Sequence, residues 1–340
     1  MNQLSHDLAK LYVIDRNMFN QEASRYFPQD SGKVAFESMI NSMLTDTNFS
    51  ALAESIPMAM YGYNHNRKKH GYDGFKGSDY DTSESYAEAK PQKKLSIDSR
   101  KLNGGGGFSA YSFDRYHRDI EQGDKLKLVI SGWIDGKLIY AYVLPHNYEP
   151  FMNHLLKKLN DKNESTSGGL KGVITTPSFS YYNYKDSKDV ELIYINPNFD
   201  DYLTHMSRPF VKFIKSIKRT IFRSSTSRYG YENGRFADAY GRLNDDGTFT
   251  VFSEGSFCKN VSEGFCQPVR RKYYNTRESM IKSNKLIDID NSYYKLTEDY
   301  TFSSPSTAAS VIKGTGINGH INWKDVWGNS LVTHLQKTLD

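Results

Sequence analysis

The chain contains little sulfur and little tryptophan, with two cysteines and three tryptophans among 340 residues. Cys258 and Cys266 are too few for a disulfide framework or for a sulfur-ligated zinc site. The sequence therefore predicts two reduced thiols and a fold stabilised by its core rather than by covalent cross-links.

Long apolar runs are also absent. No stretch reaches the roughly 18 apolar residues that a membrane-spanning helix needs. The first residues do not show a basic region followed by an apolar one, which is the pattern of a secretory leader. We therefore expect a cytoplasmic protein without a membrane partner.

A Walker phosphate-binding loop is missing as well. The glycine-rich run at Asn103–Ser109 is not followed by the Lys-Ser/Thr ending of that motif, so a P-loop nucleotide site is excluded. The run fits two other roles, a backbone that approaches a ligand closely or a flexible linker.

Tyrosine and basic residues are plentiful. The chain has 25 tyrosines, and its 44 Lys+Arg exceed 39 Asp+Glu to give a net charge of +5. This modest excess favours an anionic partner. A chain of 340 residues exceeds the usual size of one domain, so the sequence predicts two.

The most informative segment combines two acids and a lysine. Asp73 stands on a glycine-flanked turn, and Glu88 and Lys90 follow two residues apart in a segment that is predicted to be extended. Because strand side chains alternate, Glu88 and Lys90 share one face. Converging carboxylates suit Mg²⁺, and a neighbouring lysine can activate water. The pattern predicts a metal-dependent phosphodiesterase with catalytic Asp73, Glu88 and Lys90, of which Asp73 and Glu88 bind metal.

This arrangement resembles the PD-(D/E)XK nuclease superfamily, which includes most type II restriction endonucleases. Asp73 matches the first acid of the motif, Glu88 the second and Lys90 the lysine, whereas Tyr72 replaces the motif's proline. The resemblance implies an Mg²⁺-dependent enzyme that cuts double-stranded DNA at a specific sequence, leaving a 5′-phosphate and a 3′-hydroxyl. It also implies a two-fold homodimer and a cognate DNA methyltransferase in the same system.

The segment that contains Asp73, Glu88 and Lys90 also allows other interpretations. A Glu-x-Lys triplet also arises by chance in a chain this rich in charge, and three other acids, Asp79, Asp81 and Glu84, compete with Asp73 for the role of first ligand. A non-catalytic DNA-binding or defence adaptor is the alternative function, with Glu88 and Lys90 on a surface strand.

The flanking segments predict an α/β catalytic domain with a restriction-endonuclease-like mixed sheet flanked by helices. Apolar spacing predicts a helix over 34–47, where Glu37 is either an additional site acid or a solvated side chain. Two β-branched runs joined at Asp135-Gly136 predict a hairpin over 126–144. Residues 190–195 predict another strand.

Basic residues recur on a helix predicted over 208–223 and in two later segments. They are either solvated or track DNA phosphates. The predicted DNA contacts are Lys212, Lys215, Arg219, Arg223, Arg228, Arg270, Arg271 and Lys272.

The last hundred residues predict a separate small α+β module, in which Ser304 or Ser306 caps a helix. Residues 238–332 closely resemble a domain-of-unknown-function family found at the carboxyl end of prokaryotic restriction and GIY-YIG nuclease proteins. The expected division is a catalytic domain at 1–205, a basic helical connector at 206–237 and a DNA-contacting module at 238–340.

Overall fold

The computed structural model describes residues 3–46, 50–66, 71–164, 174–226, 235–289, 291 and 293–337. Its helices are α1 Gln3–Ile14, α2 Arg16–Tyr26, α3 Asp30–Thr45, α4 Ala51–Met60, α5 Phe113–Gln122, α6 Glu149–Glu164, α7 Arg208–Ser216, α8 Arg271–Lys282, α9 Pro305–Lys313, α10 Gly319–Asn322 and α11 Leu331–Lys337.

Strands fall into two large sheets and two short ribbons. The strands of the first half are β1 Asn64–His65, β2 Gly74–Phe75, β3 Tyr86–Lys94, β4 Gly106–Gly107, β5 Tyr111–Ser112, β6 Leu126–Ile134, β7 Lys137–Pro145, β8 Ile174–Thr175, β9 Ser178–Phe179 and β10 Glu191–Ile195. Those of the second half are β11 Ile221–Ser225, β12 Asp238–Leu243, β13 Phe249–Val251, β14 Ser256–Cys258, β15 Leu286–Ile289, β16 Tyr293–Leu296 and β17 Tyr300–Phe302.

The first sheet has the order β1-β2-β3-β6-β7-β10. β3 runs parallel to β6, and the other neighbours are antiparallel. The parallel pair is connected through α5, as a parallel connection requires a crossover. The predicted α/β fold with a mixed sheet flanked by helices is confirmed.

The predicted hairpin is confirmed in detail. Asp135 and Gly136 both have positive φ, 48° and 73°. Two consecutive residues with positive φ define the type I′ turn, whose twist matches that of paired strands. β6 and β7 are almost entirely buried and form the centre of the sheet.

Helices cover both faces of this sheet. On one face, α5, α6 and α7 share a core with the sheet that includes Phe151, Leu155 and Phe210. On the other face lie α1 to α4. The core around these four helices also contains side chains of the second sheet, among them Tyr240 and Tyr293. The amino-terminal helices are therefore a layer between two sheets.

The second sheet has the order β15-β16-β14-β12-β13-β17, with β11 paired to β12. A third core joins its outer face to α8 and α9. As predicted, a serine caps a helix here: Ser304 Oγ accepts the Thr307 N–H at 3.1 Å at the start of α9.

The helix predicted over 208–223 is too long. α7 begins after its capping residue Ser207 and ends at Ser216, and it buries Phe210, Phe213 and Ile214. Residues from Ile221 onward form β11 instead. We call the first sheet with the helices that cover it the first unit, and the second sheet with α8 and α9 the second unit. The segment predicted as a helical connector thus contributes a helix to the first unit and a strand to the second.

The two cysteines lie in different surroundings. Cys258 is buried, Cys266 is exposed, and both are free thiols. Across the described ranges, no helix combines the length and the apolar character needed to cross a bilayer.

Candidate functional site

The site is built on β3. Glu88 and Lys90 lie on the same face of this strand, and Lys90 Nζ donates to Glu88 Oε1 at 2.7 Å. Glu88 is buried, whereas Lys90 is partly exposed. The predicted period of two therefore brings the carboxylate and the ammonium into contact.

Asp73 reaches the same strand from its edge. β2 pairs with β3 with Gly74 opposite Ala87, so Asp73 lies beside Glu88. Its Oδ2 accepts the backbone N–H of Ala89 at 2.8 Å. Asp79, Asp81 and Glu84 are exposed in the segment that joins the two strands. Of the four acids, the structure places Asp73 against Glu88.

The two carboxyl groups differ in their affinity for protons. Burial, and then the charge of Glu88, raises the pKa of Asp73 to about 7, although Lys90 and the Ala89 N–H oppose the rise. Burial also acts to raise the pKa of Glu88, but Lys90 and Arg115 outweigh it and the pKa is lowered. Near neutral pH, Glu88 is ionised and Asp73 is close to its titration midpoint.

Arg115 is a site residue that the sequence did not predict. It lies in the first turn of α5, where Ser112 Oγ accepts the Arg115 N–H. Its Nη2 donates to Glu88 Oε1 at 2.7 Å, the same oxygen that Lys90 contacts. Glu88 Oε2 is buried and has no hydrogen-bond partner. Lys90 and Arg115 therefore both bind Glu88 Oε1, and Glu88 Oε2 is left unpaired.

A buried polar cluster lies behind Arg115. Asp119 is fully buried and accepts hydrogen bonds from the hydroxyls of Tyr72 and Tyr111, both at 3.0 Å. Arg115 Nε is 3.9 Å from Asp119 Oδ2, and His146 Nε2 is 3.7 Å from it. Asp119 thus lies within ion-pair distance of the guanidinium that contacts Glu88.

His146 is unusual within this cluster. It is only 1% exposed, and neither ring nitrogen has a hydrogen-bond partner. Burial lowers its pKa to about 4, so the ring is neutral at physiological pH. Its ring packs against Phe108 and Phe151.

Glu54 of α4, rather than Glu37 of α3, is an acid whose charge acts on Asp73. The charge of Glu54 contributes to the raised pKa of Asp73, and its carboxylate is 3.9 Å from His65 Nε2. Glu37 instead lines a separate groove with Tyr12 and Asp135. Glu54 is the one charged residue of an otherwise apolar helix, and that contrast is the sequence signal that could have identified it.

The glycine run forms a packed wall of the site. A Cβ on Gly104, where φ is +62°, would lie 2.2 Å from Tyr142 Oη, and one on Gly106 would lie 3.0 Å from Lys90 Cβ. Gly106 and Gly107 pair with β9. The run is therefore not a flexible linker, and its small residues let the backbone approach Lys90.

The carboxylates of Asp73 and Glu88 are ligands that suit a hard divalent cation, which keeps several of its bound waters. In the part of the chain that the structure describes, no three His, Cys, Asp or Glu side chains form a metal cluster. Asp73 and Glu88 are two carboxylates, and Mg²⁺ is commonly held by one or two carboxylates, several waters and a substrate phosphate. The unpaired Glu88 Oε2 is an acceptor that such an ion would satisfy.

The predicted DNA contacts are in varied surroundings. Arg223 bonds to Asp238 at 2.6 Å and lies 3.4 Å from Asp15, so this geometry does not support a role in DNA contact. Lys215 pairs with Asp200 at 3.1 Å, and Arg219 lies over the ring of Trp327.

Most of the other predicted contacts are exposed. Lys212, Arg271 and Lys272 are exposed, and Arg270 is partly buried. Arg228 lies outside the described residues.

Comparison with known proteins identifies one segment. Residues 231–334 match the family of a domain of unknown function, DUF4357. The resemblance noted over 238–332 lies within this match, and no nuclease family is matched. The chain matches no curated protein and no solved structure.

Proposed function

We propose that this protein is a divalent-metal-dependent nuclease that hydrolyses phosphodiester bonds of double-stranded DNA, with Asp73, Glu88 and Lys90 at the reacting centre. The proposal rests on one observation above all. Glu88 is ionised and buried, yet one of its oxygens has no partner. A buried unpaired carboxylate oxygen is costly, and a bound cation would remove that cost.

Asp73 and Glu88 would hold the metal, with Mg²⁺ the expected ion. A bound Mg²⁺ would polarise the phosphate and favour ionisation of a water molecule. Lys90 lies beside Glu88 with its ammonium partly exposed, where it can orient a water and offset negative charge on the phosphate. Arg115 keeps Glu88 ionised and fixes its orientation.

The proposed enzyme would work together with a second copy of itself and with a DNA-modifying partner. A sequence-specific restriction enzyme would act as a two-fold homodimer on a palindromic site and would be accompanied by a DNA methyltransferase. The DUF4357 segment would then help to hold or read DNA.

Incubation of plasmid DNA with the full chain tests this function. We expect cleavage with Mg²⁺ and none in EDTA. Glu88→Gln and Lys90→Ala should each reduce the cleavage rate by about 100-fold or more, because each removes a group that acts on the transition state.

Lys127→Ala is the matched control, because Lys127 is a partly exposed lysine on the neighbouring strand β6, opposite Ala87 rather than Glu88. It should retain cleavage. A wild-type protein that binds DNA but never cuts it would support the adaptor alternative and contradict the nuclease proposal.

A further inference from the structure

A second feature of the first unit is a polar groove beside Lys90. It has a volume of about 910 Å³. Its wall includes Pro91, Gln92 and Lys93, the three residues of β3 that directly follow Lys90. Gly105 and Gly106 of the glycine run also line the groove. The groove therefore lies along β3 immediately after Lys90.

The groove follows a free strand edge. β2 pairs with β3 only at Tyr86 and Ala87, so the edge is unpaired beyond Glu88. The N–H of Ala89 points toward this edge, where it meets Asp73. Pro91, two residues further, presents the same edge but has no N–H. A proline here prevents another strand from pairing, so the edge remains open to a different occupant.

The charge of the groove indicates an anionic occupant. None of its described lining residues is acidic, and Arg100, His154 and Lys158 are among them. Arg100 and Lys158 are exposed, and neither forms an ion pair within the described residues. The remaining lining is mostly serine, asparagine, glutamine and glycine. These are the groups that contact phosphate and sugar oxygens.

The supporting contacts fix the shape of the groove. Arg100 Nη2 donates to the Lys93 carbonyl at 2.9 Å, which holds the arginine along the strand edge. Gln92 Oε1 accepts the Asn103 N–H at 2.9 Å, and Gln92 Nε2 donates to Asn103 Oδ1 at 3.0 Å. The wall is therefore preformed rather than assembled by a ligand.

We propose that this groove binds the phosphate backbone of one DNA strand next to the scissile phosphate, with Arg100 and Lys158 as its phosphate contacts. The inference rests on the proposed function and adds to it the path of the substrate. It differs from the earlier prediction, which placed the DNA contacts on α7 and on the carboxyl-terminal segment.

Binding of a labelled 30-base-pair duplex to the full chain in EDTA tests the groove without requiring hydrolysis. Arg100→Ala/Lys158→Ala should weaken binding about tenfold or more, and the slope of log K against log salt should fall by about 2. The matched control is Lys101→Ala/Lys157→Ala, which removes the neighbouring exposed lysines outside the groove. The control should bind nearly as the wild type does.

The outcomes separate the two proposals. If both double variants bind like the wild type, the groove proposal is wrong, while Mg²⁺-dependent cleavage by the wild type would still support the nuclease. If the wild type cuts DNA but polyglutamate of equal charge displaces the duplex as well as unlabelled DNA does, the groove accepts acidic polypeptide and the proposal is also wrong. If the wild type binds no DNA and cuts none, both proposals fail.

Discussion

At the scale of single residues, the contrast between Asp73 and Glu88 governs the chemistry of the site. The two carboxyl groups share a buried location, but Glu88 contacts two cations while the carboxylate of Asp73 contacts a backbone N–H. Glu88 is therefore ionised over the neutral range, whereas Asp73 gains or loses a proton close to pH 7.

This contrast predicts a pH-dependent response to metal. The pKa of Asp73 is raised to about 7, so below that pH a metal ion must displace a proton. The increase in Tm caused by Mg²⁺ should therefore be small at pH 5.5 and grow as the pH rises through 7 to 8. Thermal unfolding in Mg²⁺ and in EDTA at each pH measures this difference.

In the metal-free protein, the stability that Asp73 contributes changes with pH in the opposite direction. Because the folded state binds more protons than the unfolded state between about pH 4 and pH 7, Asp73 contributes less stability as the pH rises through that window. Asp73→Asn should remove both trends. A Mg²⁺-induced increase in Tm that is equal at pH 5.5 and pH 8 in the wild type would contradict the assignment of Asp73.

Sequence patterns predicted part of this site. The neighbours Glu88 and Lys90 follow from strand alternation, and Asp73 follows from its turn. Arg115 reaches Glu88 from α5, the charge of Glu54 acts on Asp73 from α4, and no local pattern distinguishes Arg115 from Arg118. Such side chains become site residues through tertiary packing alone.

At the scale of elements, the glycine run and β2 hold the site in place. Gly105 illustrates the tight packing, since a Cβ there would lie 2.5 Å from the Phe179 carbonyl oxygen and 2.7 Å from Asn103 Oδ1. The neighbouring Gly107 would meet only ordinary contacts, of which the nearest is 3.6 Å.

These distances predict different effects of the same substitution. Gly105→Ala should lower the free energy of unfolding by about 1–3 kcal/mol, because the added methyl forces the backbone apart. Gly107→Ala should change it by less than about 1 kcal/mol. Chemical denaturation of the two variants measures both values. Equal effects would show that the run does not pack as described.

Strand β2, which begins directly after Asp73, is restrained from the second unit. Lys76, which follows β2 directly, donates to Asp299 Oδ2 at 2.6 Å. Asp299 Oδ1 also accepts the Ser253 N–H at 2.9 Å. The DUF4357 segment thus holds the chain close to a proposed metal ligand.

Asp299→Ala should therefore slow cleavage by about 10- to 100-fold, since small displacements of a catalytic group have effects of that size. Amide exchange in residues 73–77 should increase at the same time. Asp288→Ala is the matched control, because Asp288 pairs with Lys259 within the second unit. If Asp299→Ala leaves both cleavage and exchange unchanged, β2 is not restrained in this way.

Element types were more predictable than element ends. The hairpin at Asp135-Gly136 was predicted because only a few residue pairs favour two positive φ angles. The helix over 208–223 was predicted too long because Ile217 and Ile221 continue the apolar spacing of the helix. Their burial comes instead from an extended segment that joins the second sheet.

At the scale of the whole molecule, buried charges connect the amino-terminal helices to the second sheet. Lys295 on β16 donates to Asp7 of α1 at 2.7 Å and lies 3.6 Å from Glu254. Lys10 of α1 lies 3.3 Å from Asp238 of β12. Nothing in the sequence pattern pairs residues so far apart, and the contact between the two units was not predicted.

Loss of one partner from the buried pair should be costly. Lys295→Ala should lower the free energy of unfolding by about 3–5 kcal/mol, because Asp7 is then buried without its partner. Lys285→Ala removes a lysine from a more exposed pair with Glu298 and should cost at most about 1 kcal/mol. Urea denaturation compares the two variants. A Lys295→Ala effect no larger than that of Lys285→Ala would show that the buried charges do not hold the amino-terminal helices to the second sheet.

The central claim is that one divalent ion is held between Asp73 and Glu88. The most direct measurement is anomalous diffraction from a crystal of the full chain soaked in Mn²⁺, a substitute for Mg²⁺ with a strong anomalous signal. The account predicts a single strong peak within coordination distance of both carboxylates, which disappears in a crystal of the Glu88→Gln variant. A fully ordered site without such a peak, or a peak bound elsewhere while Asp73 and Glu88 remain empty, would contradict it.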